Sequence, residues 1–243
     1  MDARYVKCVD ISIGYAHQGP LLIPNWLPID KMEWDINGAE ESIREAFERN
    51  SETDLLEVLR KNSFLFYDLV GRKYGVQPIF HEVRLGAKLR CDFAWVNDHS
   101  YGPEWVLVEV EKPEMELFTR KGEPTYQLNH AIEQVRSWDR YFEDNPGSKK
   151  EIFGAVHSFR FVIVGGRRQD WQKESPLKWR SHFNKRNNIE IKSVDVFLDA
   201  VDTVRDDPNE FWSFEEHPVS LKESKLTEYW QNYSYFDLMR QVL

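Results

Sequence analysis

Apolar and polar positions along this chain change period several times, and each change marks an element. Ile43, Ala46 and Phe47 share one face at helical spacing, which predicts a helix over 39–49. A second helix is predicted from Ser51 to about Asn62, because Ser51 and Asp54 form a capping box and Leu55, Val58 and Leu59 lie on one stripe. The period then drops to two. Ile79, His81, Val83 and Leu85 alternate with Phe80, Glu82 and Arg84, and the Gly86-Ala87-Lys88 turn leads into a second run over 89–96, which predicts a hairpin. After a polar loop at 97–102, the run over 105–111 opens with consecutive apolar residues, as a strand central in a sheet does, and ends on charge.

Downstream, the pattern predicts a helix over 126–142 and a strand over 159–164 closed by Gly165-Gly166. A basic helix near 176–185, a short strand over 189–191 and a helix over 194–204 follow. Alternation of strand and helix from Trp105 onward predicts an α/β domain with a mixed sheet. Pro20, Pro24, Pro28 and Gly38 interrupt regular structure early, so 1–38 is expected to be an N-terminal extension, with the domain proper over 39–205. The remainder, 206–243, is expected to be an acidic, aromatic C-terminal extension, its Tyr229, Trp230, Tyr233, Tyr235 and Phe236 suited to packing or an oligomer contact.

Composition narrows the class. Of 243 residues, 41% are hydrophobic, 30% charged and 14% aromatic, the balance of a folded globular chain. The longest apolar stretches, such as 161–164, fall far short of the roughly 20 residues that span a bilayer, and no membrane partner is expected. Charges at Asp2, Arg4, Lys7 and Asp10 leave no signal-peptide core, and Cys8 and Cys91 make neither a disulfide framework nor a zinc pattern; a cytoplasmic setting is expected. The net charge of −9 argues against a protein that coats nucleic acid, yet 61–194 carries 22 basic against 18 acidic residues while both flanks are acidic. Eight of those cations fall within 151–186, against three acids, a cluster suited to a polyanion or to a solvated helix face.

The informative acids are those a sheet would bury. Asp92 lies inside the second hairpin strand, and Glu109 and Glu111 end the central one, where period two sets both on one face and turns Val110 and Lys112 to the other. Carboxylates converging from neighbouring strands suit Mg²⁺ or Mn²⁺, which can activate water for phosphodiester hydrolysis. Spacing alone favours the plainer reading of solvated strand-end carboxylates, since such a triplet arises often by chance.

Further segments change that balance. Residues 55–66 (Leu55-Leu56-Glu57-Val58-Leu59 through Phe66) resemble the helix that opens the nuclease domain of the Shedu anti-phage family, with Ser63 where that pattern has proline. Glu82-Val83-Arg84-Leu85-Gly86, Asp92-Phe93 and Leu107-Val108-Glu109-Val110-Glu111-Lys112-Pro113 resemble, in order, its E-x-x-L-G, D-F and L-V-E-x-K-x-P segments. Leu117-Phe118, Ala131-Ile132-Glu133-Gln134, 161–165 and 189–195 resemble its later loop, helix and closing strands, so the likeness spans about 54–200.

The resemblance implies the PD-(D/E)xK nuclease superfamily, a restriction-endonuclease-like mixed sheet flanked by helices, and a metal-dependent endodeoxyribonuclease of phage defence that forms homo-oligomers. It implies Asp92 and Glu109 as metal ligands. The family lysine is replaced by Glu111, which leaves three readings: a bulge turns Lys112 inward, Glu111 serves as third ligand or base, or the site is a degenerate DNA-binding one. Gln134, paired with Trp138 one turn on, resembles the superfamily's Q-x-x-x-Y and is expected near a metal ligand or phosphate. His130 on the same helix and Glu82 are weaker candidates. Lys88, Arg90, Arg167 and Arg168 are candidate phosphate contacts to DNA, the alternative being ordinary surface charge.

Overall fold

The computed structural model describes residues 34–71 and 75–243. The N-terminal extension expected over 1–38 lies, up to residue 33, outside the described residues. Two helices open the fold, α1 (Ile36–Glu48) and α2 (Glu52–Lys61). The Asp35 carboxylate accepts the Gly38 N–H at 2.8 Å to cap α1, and the Ser51 hydroxyl accepts the Asp54 N–H at 3.1 Å to cap α2. Each buries its apolar stripe: Ile43, Ala46 and Phe47 in the first, Leu55, Val58 and Leu59 in the second.

Three antiparallel strands follow, β1 (Phe80–Arg84), β2 (Arg90–His99) and β3 (Gly102–Val110). Helices α3 (Tyr126–Asp144) and α4 (Pro146–Phe153) cross to β4 (Ser158–Val164), which runs parallel to β3. Helices α5 (Arg168–Trp171) and α6 (Glu174–Arg186) lead to β5 (Ile189–Lys192), again parallel, and α7 (Val196–Asp206) closes this part. The sheet order is β5-β4-β3-β2-β1-β6, where β6 (Leu221–Lys222) comes from the C-terminal segment. This α/β mixed sheet flanked by helices is consistent with the restriction-endonuclease-like arrangement.

Central position explains the apolar run in β3. Val106, Val108 and Val110 face one core layer with α1, α2 and α7, while Trp105 and Leu107 face the other with α3. Each such side chain, taken fully out of water, contributes about 1.5–3 kcal/mol before the entropy of ordering is counted.

The segment 206–243, expected as an extension, is built into this body. Strand β6 pairs with β1 through Phe80↔Leu221 and His81↔Lys222, and helices α8 (Leu226–Asn232) and α9 (Ser234–Val242) bring Trp230, Phe236 and Met239 into the α3-side core. A two-residue strand has no period to read, which is why the pattern of the chain did not announce it. Among the described residues, no helix is long and apolar enough to cross a membrane.

Candidate active site

The site sits where the sheet forks. Between β2 and β3 the ladder runs from His99↔Gly102 to Phe93↔Val108 and stops there. The next amide, Val110 N–H, is taken not by a backbone carbonyl but by the Asp92 carboxylate at 2.8 Å. On the other edge of β2, pairing passes from His81↔Phe93 to Val83↔Cys91, and the residue between, Glu82, adopts φ +56°. A left-handed turn at a non-glycine residue costs about 1–2 kcal/mol. It reverses the in–out alternation of β1, so that Phe80 and Val83 enter the same core layer although the sequence pattern sets them on opposite faces.

The fork leaves a cleft of about 630 Å³ whose lining includes Asp92, Glu109, Glu111 and Glu52. Glu52, the first residue of α2, was not singled out by sequence because an acid in a helix's first turn is ordinary dipole chemistry. A larger cleft, about 810 Å³ between the 114–122 loop and 169–176, carries mixed surface charge and none of these four acids. Gly165 lets the sheet close on the site: a Cβ there would stand 2.8 Å from Glu111 Cβ and 2.9 Å from Met115 Sδ.

Four carboxylates share the cleft, Asp92 and Glu109 buried and Glu52 and Glu111 partly so. Burial drives Asp92 up to about 6, against the opposing pull of the Val110 N–H. Burial, then Asp92 and Glu111, hold Glu109 well above the usual carboxylate range. Burial, Glu52 and Asp92 raise Glu111 to about 7. Glu52, half-buried, is raised by burial and pulled back by the charge of Lys112.

Glu109 shows how the group is supported and what it lacks. Its Oε1 accepts a hydrogen bond from Gln134 Nε2 on α3, the contact expected of that glutamine, and Trp138 one turn on is buried against Phe161. Its Oε2 is buried with no hydrogen-bond partner among the described residues. An orphaned carboxyl oxygen beside two more acids whose ionisation burial opposes fits a hard divalent cation, which would favour the ionised forms and neutralise their repulsion. Among the described residues no group of three or more His, Cys, Asp or Glu side chains is already drawn together enough to hold an ion. Mg²⁺ does not require that, since it is commonly held by one or two carboxylates and several waters.

The remaining candidates separate into two places. Lys88 and Arg90 line the cleft with Arg84 and His130, and Arg90 is tethered to Glu82 at 3.3 Å. Glu82 itself pairs with Arg60 and Arg90 and stays outside the cleft lining. Lys112 lies past the end of β3, exposed and outside the cleft lining, its carbonyl accepting N–H bonds from Met115 and Gly166, while its charge acts on Glu111 and Glu52. Arg167 and Arg168 are likewise not at the cleft. Arg167 holds Asp195 at 2.9 Å and lies over the Phe47 ring at 4.4 Å, and Arg168 pairs with Asp199. Both tie the loop after β4 to the start of α7.

No curated protein matches the chain. A family profile does: the one described as "Shedu protein SduA, C-terminal" matches residues 49–198, from the turn before α2 to the first turn of α7. That span contains the fork, all four carboxylates and Gln134, and by this match over more than half its length the chain belongs to the Shedu SduA family.

Proposed function

We propose that this protein is a divalent-metal-dependent DNA endonuclease of the PD-(D/E)xK kind. Membership in the Shedu family suggests anti-phage defence. The observation that carries the nuclease reading is the fork itself: Asp92, Glu109 and Glu111 are forced into one desolvated cleft that leaves Glu109 Oε2 unpaired, beside the cations Lys88 and Arg90.

In this reading Asp92 and Glu109 would hold Mg²⁺ or Mn²⁺, with Glu52 or Glu111 able to supply a further carboxylate oxygen. The ion supplies charge neutralisation at the scissile phosphate and makes a nearby water more acidic. Gln134 fixes the Glu109 carboxylate through its Nε2–H, so the ligand meets the ion in one rotamer. Glu111 would accept the proton of the attacking water as the water oxygen bonds to phosphorus and the phosphorus–oxygen bond to the leaving strand breaks, the leaving oxygen taking its proton from solvent. Lys88 and Arg90 hold flanking phosphates. Assembly into a homo-oligomer is part of the proposal and is checked by light scattering.

Supercoiled plasmid with Mg²⁺, Mn²⁺ or chelator, beside Asp92→Ala, tests the reading. Metal-dependent cutting lost in the variant supports it; no cutting of the plasmid or of a single-stranded circle with any metal, by folded protein, overturns it. A second reading, a DNA-binding protein that no longer cleaves, is favoured by one residue: Glu111 stands where the family motif has lysine. It predicts a gel shift without cutting.

A further inference from the structure

Helix α3 carries more toward the cleft than Gln134. Stepping back four residues at a time, His130 and then Tyr126 lie on the same side of the helix, about 6 and 12 Å from Gln134 along the axis. His130 lines the cleft with the carboxylates, and the Tyr126 ring stacks on it, 5.7 Å between centroids and 17° between planes. Tyr126 is 80% exposed and belongs to neither core layer. Holding a large ring in water beside an imidazole one turn away adds no more to folding than an ordinary helix-surface pair, about 0.2–0.5 kcal/mol. The Thr125 hydroxyl already caps α3 by accepting the Leu128 N–H at 3.3 Å, so the ring is not needed to start the helix.

The ring pair is therefore a flat apolar surface without a covering partner among the described residues, continuous through His130 with a cleft whose other lining residues include Arg84, Lys88 and Arg90. Exposed aromatic faces beside a cationic track are what an unstacked nucleobase recognises, because every base presents a π-face while its phosphates seek the cations.

We infer that Tyr126 and His130 form a stacking platform for a nucleobase one or two positions from the phosphate held at the carboxylate cleft, and that the cleft takes single-stranded DNA in preference to closed duplex. The inference rests on the reading of the cleft as a DNA site and names its substrate class. A base stacked within duplex cannot reach an exposed ring without leaving its neighbour, whereas a base in a single strand pays little to do so. The tyrosine extends the imidazole outward, so a strand leaving the cleft along α3 meets His130 first and Tyr126 second.

The full chain is titrated, in chelator, into a single-stranded oligonucleotide carrying 2-aminopurine, with the matching closed duplex as comparison. Stacking quenches the 2-aminopurine signal on binding the single strand, and the duplex binds more weakly. Tyr126→Ala loses the quench and about five- to hundredfold in single-strand affinity, while Tyr126→Trp retains both. Equal affinity and quench in wild type and Tyr126→Ala overturns the platform, as does a loss in Tyr126→Trp as deep as in the alanine variant. The two readings fail separately: metal-dependent plasmid cutting with an indifferent Tyr126 overturns the platform alone, and an intact quench without cutting overturns the nuclease alone.

Discussion

Replacing Asp92 by asparagine keeps the shape of the side chain and an oxygen able to accept the Val110 N–H, but removes an anion that the fold resists. In the unfolded chain this carboxyl ionises near 3.8, and in the fork near 6. Each pH unit between those values is worth roughly 1.4 kcal/mol, so holding Asp92 ionised costs about 3 kcal/mol. The sign follows from the raised value. Below 3.8 both states carry the proton and the cost is absent; it grows as pH rises toward 6 and is complete above it. Asp92→Asn is therefore expected to stabilise the metal-free protein by about 2–3 kcal/mol at pH 8, a gain that fades to near zero by about pH 4. Relief of repulsion at Glu109 acts in the same direction. Urea unfolding in chelator at both pH values reads the difference. Saturating Mg²⁺ should reverse the order, because only the wild type gains the free energy of a bound ion. A variant less stable than wild type at pH 8, or stabilised equally at both pH values, refutes the reasoning.

Proton competition at Asp92, near 6, and Glu111, near 7, makes Mn²⁺ affinity rise steeply between about pH 5.5 and 8 in calorimetric titrations, and a flat profile would exclude these carboxylates as ligands. Gly165→Ala crowds Glu111 Cβ at 2.8 Å, so cutting should fall at least tenfold, roughly 1.4 kcal/mol in the barrier, while the far-ultraviolet dichroism is unchanged. Arg167→Ala should cost about 1–3 kcal/mol of stability by leaving Asp195 with the Arg168 N–H as its remaining hydrogen bond, with DNA affinity unaltered. Lys88→Ala should instead spare stability and flatten the salt dependence of DNA binding by about one counterion in gel-shift titrations.

What the sequence discloses and what it hides differ by the range of the interaction. The Ser51 cap, the hairpin and the central strand are local patterns, and each falls within a few residues of its expected place. Asp92, Glu109 and Glu111 stand out as acids within apolar strands, but only the ordered family segments around them, with Gln134 one turn from Trp138, single them out as a site. The partner of Arg167 is not legible: Asp195 lies 28 residues away, and a surface cation looks the same before its acid is known. Nor is Glu82, since a single backbone angle reverses the alternation from which β1 is recognised. Glu52 is hidden by its ordinariness, an acid where every helix start welcomes one.

The hydrogen bond from Val110 to Asp92 links a backbone amide directly to the charge state of the cleft. An amide proton held by a carboxylate resonates downfield and moves when that carboxylate takes up a proton or an ion. Val110 should thus serve as an internal spectroscopic probe, its ¹H–¹⁵N cross-peak reporting occupancy of the fork without any label placed in it.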